Sequence, residues 1–199
     1  MNQTGDVYPR MILITGDPQS GKSTLLETLI SVLRGQHITT AGILAKGLWD
    51  SGVRSGFHLI DLKRNERVQL ARRLTHRKKD SIAFEFFPSG IQAGQRALSR
   101  ASCAGADVVI VDEVGRLETD GKGWAPLLPP LLKLDDMIHL WVVRTRLVET
   151  VCRIWHLNRP HIVRADAPGA LDDLASFIMK TLKGVSHAEA QKRRDTEFI

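Results

Sequence analysis

The sequence predicts a single α/β domain with a mostly parallel central sheet flanked by helices. Short apolar runs, typical of buried strands, alternate along the 199 residues with amphipathic segments, typical of surface helices. This alternation is typical of sheets whose strands are joined by helices that cover both faces. Hydrophobic residues make up 43% of the chain and charged residues 25%, which is ordinary for a globular protein with one full core.

The first half of the chain is expected to hold most of the strands. The apolar run at 11–14 predicts a buried strand, and Gly35 is expected to terminate the amphipathic segment that follows. The turn signal Asp50-Ser51-Gly52 separates apolar runs at 41–46 and 56–62, which predicts a β-hairpin after the second strand. Weaker patterns predict strands at 68–71 and 82–87 and a helix at 89–104.

The second half continues the alternation of strands and helices. The nearly continuous apolar run at 107–111 is typical of a parallel strand covered on both faces, and a similar run lies at 138–143. Three prolines interrupt the apolar stretch 124–134, so a helix there is expected to place its prolines in the first turn or to be irregular. The remaining expected elements are a helix that carries Leu147, Val148, Val151, Cys152 and Trp155 on one face, a short strand at 161–164 and a closing helix at about 170–182.

We expect one domain over residues 10–183 between two flexible ends, the short polar stretch 1–9 and the charged tail 184–199. The first stretch lacks the apolar core of a signal peptide. No apolar run approaches the ~18 residues that a spanning helix needs. The two cysteines, Cys103 and Cys152, indicate reduced packing residues rather than a disulfide framework. These features favour a cytoplasmic protein that does not enter a membrane.

The net charge of +6 is modest and is densest in two clusters, at 72–79 and 192–194. We interpret both clusters as solvated loop and tail charge. Mild positive charge also helps to capture a polyanionic substrate such as a nucleotide. No nucleic-acid recognition motif accompanies the charge, so a nucleic-acid partner is not favoured. We expect a monomer or a weak oligomer.

An eight-residue run between the first strand and the first helix fits the phosphate-binding pattern G-x-x-x-x-G-K-[ST]. Its residues are Gly16, Asp17, Pro18, Gln19, Ser20, Gly21, Lys22 and Ser23. The two glycines permit a backbone nest around a phosphate, and the start of the following helix adds unpaired N–H groups and partial positive charge. We expect Lys22 to reach the β- and γ-phosphates and, as a catalytic residue together with one arginine, to offset the charge of the transition state. Ser23 is expected to ligate Mg²⁺ and Thr24 to donate to the α-phosphate.

Two adjacent acids, Asp112 and Glu113, end the apolar run at 107–111. The carboxyl ends of sheet strands are where α/β folds bind their ligands. We expect Asp112 to hold Mg²⁺ through a water molecule opposite Ser23, and Glu113 to act as the base that polarises a water aimed at the γ-phosphate. Together with the phosphate loop, this acid pair predicts hydrolysis of nucleoside triphosphates.

Phosphoryl transfer also requires a cation near the charge that develops on the phosphate. Three arginines follow predicted core strands at the same edge of the sheet: Arg116 lies after the acid pair, and Arg144 and Arg146 lie after the run at 138–143. We place Arg144 first because it follows its strand directly. A solvated or paired surface arginine is the alternative for each of them.

With these motifs located, the chain resembles the THEP1-type nucleoside-triphosphatases, a branch of the P-loop class with an additional catalytic glutamate. The resemblance covers most of residues 10–165. It rests on the phosphate loop, on Arg54-Ser55-Gly56-Phe57 and on Asp112-Glu113-Val114-Gly115-Arg116-Leu117-Glu118, which is similar to the family pattern D-E-[IV]-G-x-[ML]-E. The segment 45–49 lacks the acidic residue expected after the second strand, which leaves the selectivity for the base open.

The resemblance implies a RecA-like sheet and slow, Mg²⁺-dependent release of phosphate from several nucleoside triphosphates. It also implies that Glu118 is a family-typical residue that orients Arg116 or the loop, with a surface ion pair as the alternative. Two other functions share the same nucleotide site. One is a small-molecule or nucleotide kinase, with residues 63–79 as an arginine-rich lid; the other is a nucleotide-dependent switch or assembly factor that docks through residues 72–79 and the tail.

Overall fold

An eight-stranded sheet forms the centre of the protein. The computed structural model describes residues 10–74 and 83–196, with side chains described up to residue 184. The strands are β1 (Met11–Gly16), β2 (Thr40–Asp50), β3 (Val53–Asp61), β4 (Glu66–Arg73), β5 (Phe84–Phe86), β6 (Val108–Asp112), β7 (Ile138–Arg144) and β8 (His161–Arg164). The helices are α1 (Lys22–Gly35), α2 (Pro88–Ala97), α3 (Arg100–Cys103), α4 (Arg116–Thr119), α5 (Leu128–Leu132), α6 (Val148–Ile154) and α7 (Ala170–Thr196).

The strand order across the sheet is β5-β4-β3-β2-β6-β7-β1-β8. The five strands from β2 to β8 in this order are parallel, while β3, β4 and β5 add an antiparallel extension at one edge. The predicted α/β class and the mostly parallel sheet are confirmed. Because β1, β6 and β7 are central neighbours and run parallel, their carboxyl ends meet at one edge, where the phosphate loop, the acid pair and Arg144 follow.

Both faces of the sheet are buried, which explains why its central strands are continuously apolar. Every residue of β1 and of β6 is buried. Odd-numbered residues such as Leu13 pack with α2, α5 and α6, while even-numbered ones such as Ile12 pack with α1 and α7. The described residues contain no helix that is long and apolar enough to cross a membrane.

The predicted hairpin is present but longer than expected, because β2 extends to Asp50 and β3 begins at Val53. Ser51 and Gly52 connect the strands with φ angles of 48° and 77°, the left-handed pair that a tight two-residue hairpin turn requires. Beyond Ala45 the two arms pair mainly with each other, since β6 pairs with β2 only as far as Ile43. The tip therefore keeps strand geometry although its side chains, such as Trp49 at 52% exposed, are not buried in the core.

The helix predicted at 89–104 is divided into α2 and α3. The break falls at Leu98 and Ser99, and the Ser99 hydroxyl accepts a hydrogen bond from the Ser102 N–H at 3.2 Å, which caps α3. The proline-rich stretch 124–134 is irregular, as expected, with a 3₁₀ turn at Ala125–Leu127 before the five-residue α5.

The structure describes the two ends of the chain and residues 63–79 only in part. Helix α7 continues to Thr196, beyond its expected end near residue 182, while the expected flexibility of the tail 184–199 stays a prediction. The stretch 1–9 lies outside the described residues. Of the lid suggested at 63–79, residues 66–73 form β4 within the sheet, and residues 75–79 lie outside the described residues.

Candidate active site

The phosphate loop connects β1 to α1, and its backbone follows from its two glycines. Gly21 has a φ angle of 84°, a left-handed conformation that glycine adopts without strain. A Cβ atom at Gly16 would overlap the Ser20 hydroxyl, so only glycine allows this close approach. Helix α1 begins at Lys22 without a side-chain cap or an acidic residue in its first turn. Its first N–H groups and its partial positive charge are thus available to a phosphate.

Lys22 lies across the loop and is buried. Its ammonium donates to the carbonyl oxygens of Gly16 at 2.9 Å and Asp17 at 2.6 Å, and more weakly to the Ser20 hydroxyl at 3.4 Å. Burial lowers the pKa of Lys22, and the charge of Glu113 opposes this shift. Lys22 is therefore held over the loop and within electrostatic reach of the acid pair.

The two acids at the end of β6 have different surroundings. Asp112 is only 5% exposed, and one of its carboxylate oxygens, Oδ2, accepts a hydrogen bond from the Ala45 N–H at 3.1 Å. Burial, and then the adjacent charge of Glu113, raise the pKa of Asp112 to about 7. Glu113 is half-buried, and the peptide bond between the two acids is cis.

Arg144, at the end of β7, contacts the second acid directly. Its Nε donates to Glu113 Oε1 at 2.9 Å, and both side chains are partly exposed. The other two candidate arginines do not reach the acid pair. Arg146 is exposed in a 3₁₀ turn, and Arg116 is 86% exposed with its Nε 3.9 Å from Asp120.

Glu118 is buried, which does not fit the alternative of a surface ion pair. It is 5% exposed, and its carboxylate accepts the N–H groups of Gly115 at 2.8 Å and Trp124 at 3.1 Å. The surface ion pair is therefore wrong, and Glu118 instead fixes the loop that follows the acid pair. The spacing Gly115-x-x-Glu118 is that of a capping box, and this signal is visible in the sequence.

Arg54 is a further residue near the site that the sequence reasoning did not assign there. It lies at the start of β3, and its guanidinium carbon is 4.3 Å from the centre of the Trp49 ring. Burial lowers the pKa of Arg54, and the charges of Asp112 and Glu113 oppose this shift. The sequence carries Arg54 in a family-like motif but holds no signal for its proximity to the acids.

The oxygen atoms at the carboxyl edge fit a hard divalent cation. The described residues hold no cluster of three or more His, Cys, Asp or Glu side chains that could ligate a metal ion. Mg²⁺ usually binds one or two protein oxygens together with substrate phosphates and water, so such a cluster is not required. The Ser23 hydroxyl and the Asp112 carboxylate are oxygen ligands suited to that role. Burial raises the pKa of Asp112, and a bound cation would favour its ionised form.

Comparison with known proteins gives consistent matches. A family model described as NTPase matches residues 11–164. A nucleoside-triphosphatase THEP1 of Methanocaldococcus jannaschii is 31% identical over 124 residues, which span 62% of this chain and 72% of that protein. The THEP1 protein of Methanopyrus kandleri is 32% identical over 110 residues, or 55% of this chain and 60% of that protein. The matched regions thus span between about three-fifths and three-quarters of these relatives.

Two solved structures share the fold. The solution structure of a human cancer-related nucleoside triphosphatase aligns with a TM-score of 0.67 and 18% identity, covering 86% of this chain and 98% of that one. The crystal structure of THEP1 from the hyperthermophile Aquifex aeolicus aligns with a TM-score of 0.61 and 21% identity, covering 84% and 98%. At these identities the likeness supports the fold.

Proposed function

Because this chain belongs to the THEP1-type family of nucleoside-triphosphatases, we propose that it hydrolyses the γ-phosphate of ATP, GTP and other nucleoside triphosphates with Mg²⁺. The observation that carries the proposal is the contact between Glu113 and Arg144 at 2.9 Å, at the sheet edge that also holds the phosphate loop. In this proposal Glu113 is the base and Arg144 is the cation for the transition state, and their contact supports a site for the substrate phosphates at this edge. Broad base tolerance is part of the proposal and rests on the family resemblance.

Binding in this proposal uses the backbone of residues 16–24. The uncapped start of α1 offers N–H groups to the phosphates, and Lys22 exchanges its contacts with the loop carbonyls for contacts with the β- and γ-phosphates. Ser23 and Asp112 would hold Mg²⁺. When bound, this ion would neutralise charge on the phosphate oxygens.

For turnover, this proposal requires the side chains of Glu113 and Arg144 to move apart, because each then acts on a different group. Glu113 must accept a proton from the attacking water, and Arg144 must stabilise the charge on the transferring phosphate. The proposal therefore has Arg144 turn toward the γ-phosphate when substrate is bound, which frees Glu113 Oε1 to accept from water. Lys22 and Arg144 together would offset the charge of the transition state.

The proposal is tested by measuring phosphate release from ATP, GTP, CTP and UTP, each with Mg²⁺ and with EDTA. We expect slow release from several of the four nucleotides with Mg²⁺ and none with EDTA. Release from one nucleotide alone would contradict base tolerance. Tight binding without release would contradict hydrolysis and favour a kinase that lacks its acceptor or a switch that lacks its partner.

The role of Arg144 is tested by Arg144→Ala, with Arg146→Ala as a neighbouring control. We expect Arg144→Ala to lower kcat by about 100-fold or more and to change nucleotide affinity far less, because the contact is needed mainly in the transition state. The exposed Arg146 is expected to be dispensable. Equal losses of kcat and affinity in Arg144→Ala would argue against the role.

The cellular location is proposed as the cytoplasm. Both cysteines are free thiols, Cys103 buried and Cys152 half-buried, in keeping with a reducing compartment. The partner in this proposal is the nucleotide itself, and a monomer or a weak oligomer suffices because the groups named above come from one chain.

A further inference from the structure

The Arg54 side chain is held in place by three neighbours on the β2–β3 hairpin. Its guanidinium carbon lies 4.3 Å from the centre of the Trp49 ring and 5.0 Å from that of Phe57. A Cβ atom at Gly47 would overlap the guanidinium, so glycine at this position makes the room that the group occupies. Two aromatic rings and a glycine thus form a holder for a planar cation.

This cation has no anionic partner in the part of the chain that the structure describes. Its Nε is buried, and none of the described residues accepts a hydrogen bond from it. Arg54 also forms no ion pair with a described carboxylate, whereas Arg144 pairs with Glu113 at 2.9 Å. A buried donor without an acceptor is costly, so an arginine held in this way indicates a partner that arrives from outside.

The position of the holder identifies where that partner would be. Ala45 on β2 donates its N–H to Asp112, and Gly47 lies two residues further along the same strand, past the end of the pairing with β6. Asp112 and Glu113 both influence the charge of Arg54 without bonding to it. The guanidinium therefore lies within electrostatic reach of the acid pair, at the sheet edge that also holds the phosphate loop.

The charge of the site indicates which chemical group Arg54 would bind. A bound γ-phosphate would lie close to two carboxylates, and once Arg144 turns away from Glu113, that carboxylate is left without its ion-pair partner. An added phosphate brings further negative charge, which a second arginine would offset. The planar fork of a guanidinium also matches the spacing of phosphate oxygens.

We propose that Arg54 contacts the γ-phosphate of the bound nucleotide from the hairpin side, and that the Trp49, Phe57 and Gly47 holder orients it for this contact. The inference rests on the proposed function for the identity of the substrate. It adds a residue that distinguishes a triphosphate from a diphosphate. A role limited to packing the hairpin is the alternative.

The test compares the affinities of AMP-PNP and ADP, both with Mg²⁺, by calorimetry for the wild type, Arg54→Ala and Arg54→Lys. We expect Arg54→Ala to weaken AMP-PNP binding by about tenfold or more, as the loss of a charged hydrogen bond does, and to leave ADP binding within about threefold. Arg54→Lys should fall between the two, because it keeps the charge and loses the planar fork.

Two controls keep the comparison informative. Arg67→Ala removes an exposed arginine from the neighbouring strand β4 and should change neither affinity. Gly47→Ala keeps Arg54 but displaces its guanidinium, and should reproduce the selective loss of AMP-PNP affinity even if Arg54→Ala proves unstable. Equal weakening of both nucleotides, or wild-type affinities in a folded Arg54→Ala variant, would overturn the inference.

The outcome is separable from that of the proposed function. A wild-type protein that discriminates between the two nucleotides through Arg54 but releases no phosphate would support this contact and contradict hydrolysis. A protein that hydrolyses triphosphates with Arg54→Ala unchanged would contradict the contact alone. A wild-type protein that binds neither nucleotide would overturn both.

Discussion

At the scale of single residues, two neighbouring acids with the same charge have opposite environments. Asp112 is fully enclosed and accepts one backbone hydrogen bond, while Glu113 is partly exposed and pairs with Arg144. Burial, and then the adjacent charge of Glu113, make the ionised Asp112 unfavourable in the folded state, and the charges of Lys22 and Arg54 offset this only in part. We infer that this position is maintained for function at a cost in stability.

Replacing Asp112 by asparagine should therefore stabilise the metal-free protein. The pKa of Asp112 is raised from 3.8 to about 7, so at pH 8 its ionisation costs at most about 4 kcal/mol of folding free energy. The unfolded chain releases this proton above about pH 3.8 and the folded chain only above about pH 7, so stability falls between these two values. The advantage of Asp112→Asn should therefore be largest at pH 8 and should shrink toward pH 5. Urea unfolding in EDTA measures it, and a variant less stable than the wild type at pH 8 would contradict the account.

The sequence identified some site residues and missed others for a physical reason. The positions of Asp112, Glu113 and Arg144 at one sheet edge follow from their location after apolar runs, because parallel strands present their carboxyl ends together. The assigned roles of these residues stay predictions. The family resemblance named Glu118 but not its burial against backbone N–H groups. Arg54 was not assigned to the site, because hydropathy does not record that its side chain packs on the rings of Trp49 and Phe57.

At the scale of elements, α2 illustrates how glycine sets the distance between a helix and a sheet. A Cβ atom at Gly90 would overlap the backbone of β4, and one at Gly94 would overlap the Trp124 ring. In sequence these glycines indicate only a weak helix, since glycine lowers helix propensity. Here they allow the close approach that buries Trp124, which is 8% exposed.

Gly94→Ala should thus destabilise the protein although alanine favours helices. We expect a loss of about 1–3 kcal/mol from the forced displacement of Trp124 and Leu59. The matched control is Gly35→Ala at the end of α1, where an added Cβ meets nothing within 4 Å and a gain of about 0.4–1 kcal/mol is expected. Thermal unfolding of both variants tests the pair, and a Gly94→Ala variant as stable as Gly35→Ala would refute the packing argument.

At the scale of the whole molecule, the fold class could be predicted and the strand order could not. Continuous apolar runs identify parallel strands such as β1, β6 and β7, because both their faces are covered. Their order depends on contacts between distant segments, which the spacing of apolar residues does not record. The family resemblance implied a RecA-like sheet, and the fold and the family are both confirmed.

The stability of the whole domain should fall in acid through His139. This residue is 5% exposed on β7, its Nε2 lies 2.9 Å from the carbonyl oxygen of Leu134, and burial lowers its pKa. The unfolded chain gains a proton as pH falls through about 6.5, and the folded chain gains it only at lower pH, so acid favours unfolding.

His139→Gln isolates this effect, since glutamine offers an N–H without titrating. From pH 8 to pH 5 the free energy of unfolding should change less favourably in the wild type than in His139→Gln. Both proteins share every other titrating group, Asp112 included, so the difference between the two changes reports His139. Urea titrations at the two pH values measure it, and equal changes in the two proteins would contradict the prediction.

The central claim is that Glu113 is the base of a nucleoside-triphosphatase, and the most direct test is Glu113→Gln assayed for phosphate release and for nucleotide binding. Glu66→Gln, an exposed change on β4, serves as the control. We expect Glu113→Gln to lower release from several nucleoside triphosphates by about 100-fold or more while affinity stays within about threefold, as loss of a general base does. Release at the wild-type rate in Glu113→Gln would contradict the account.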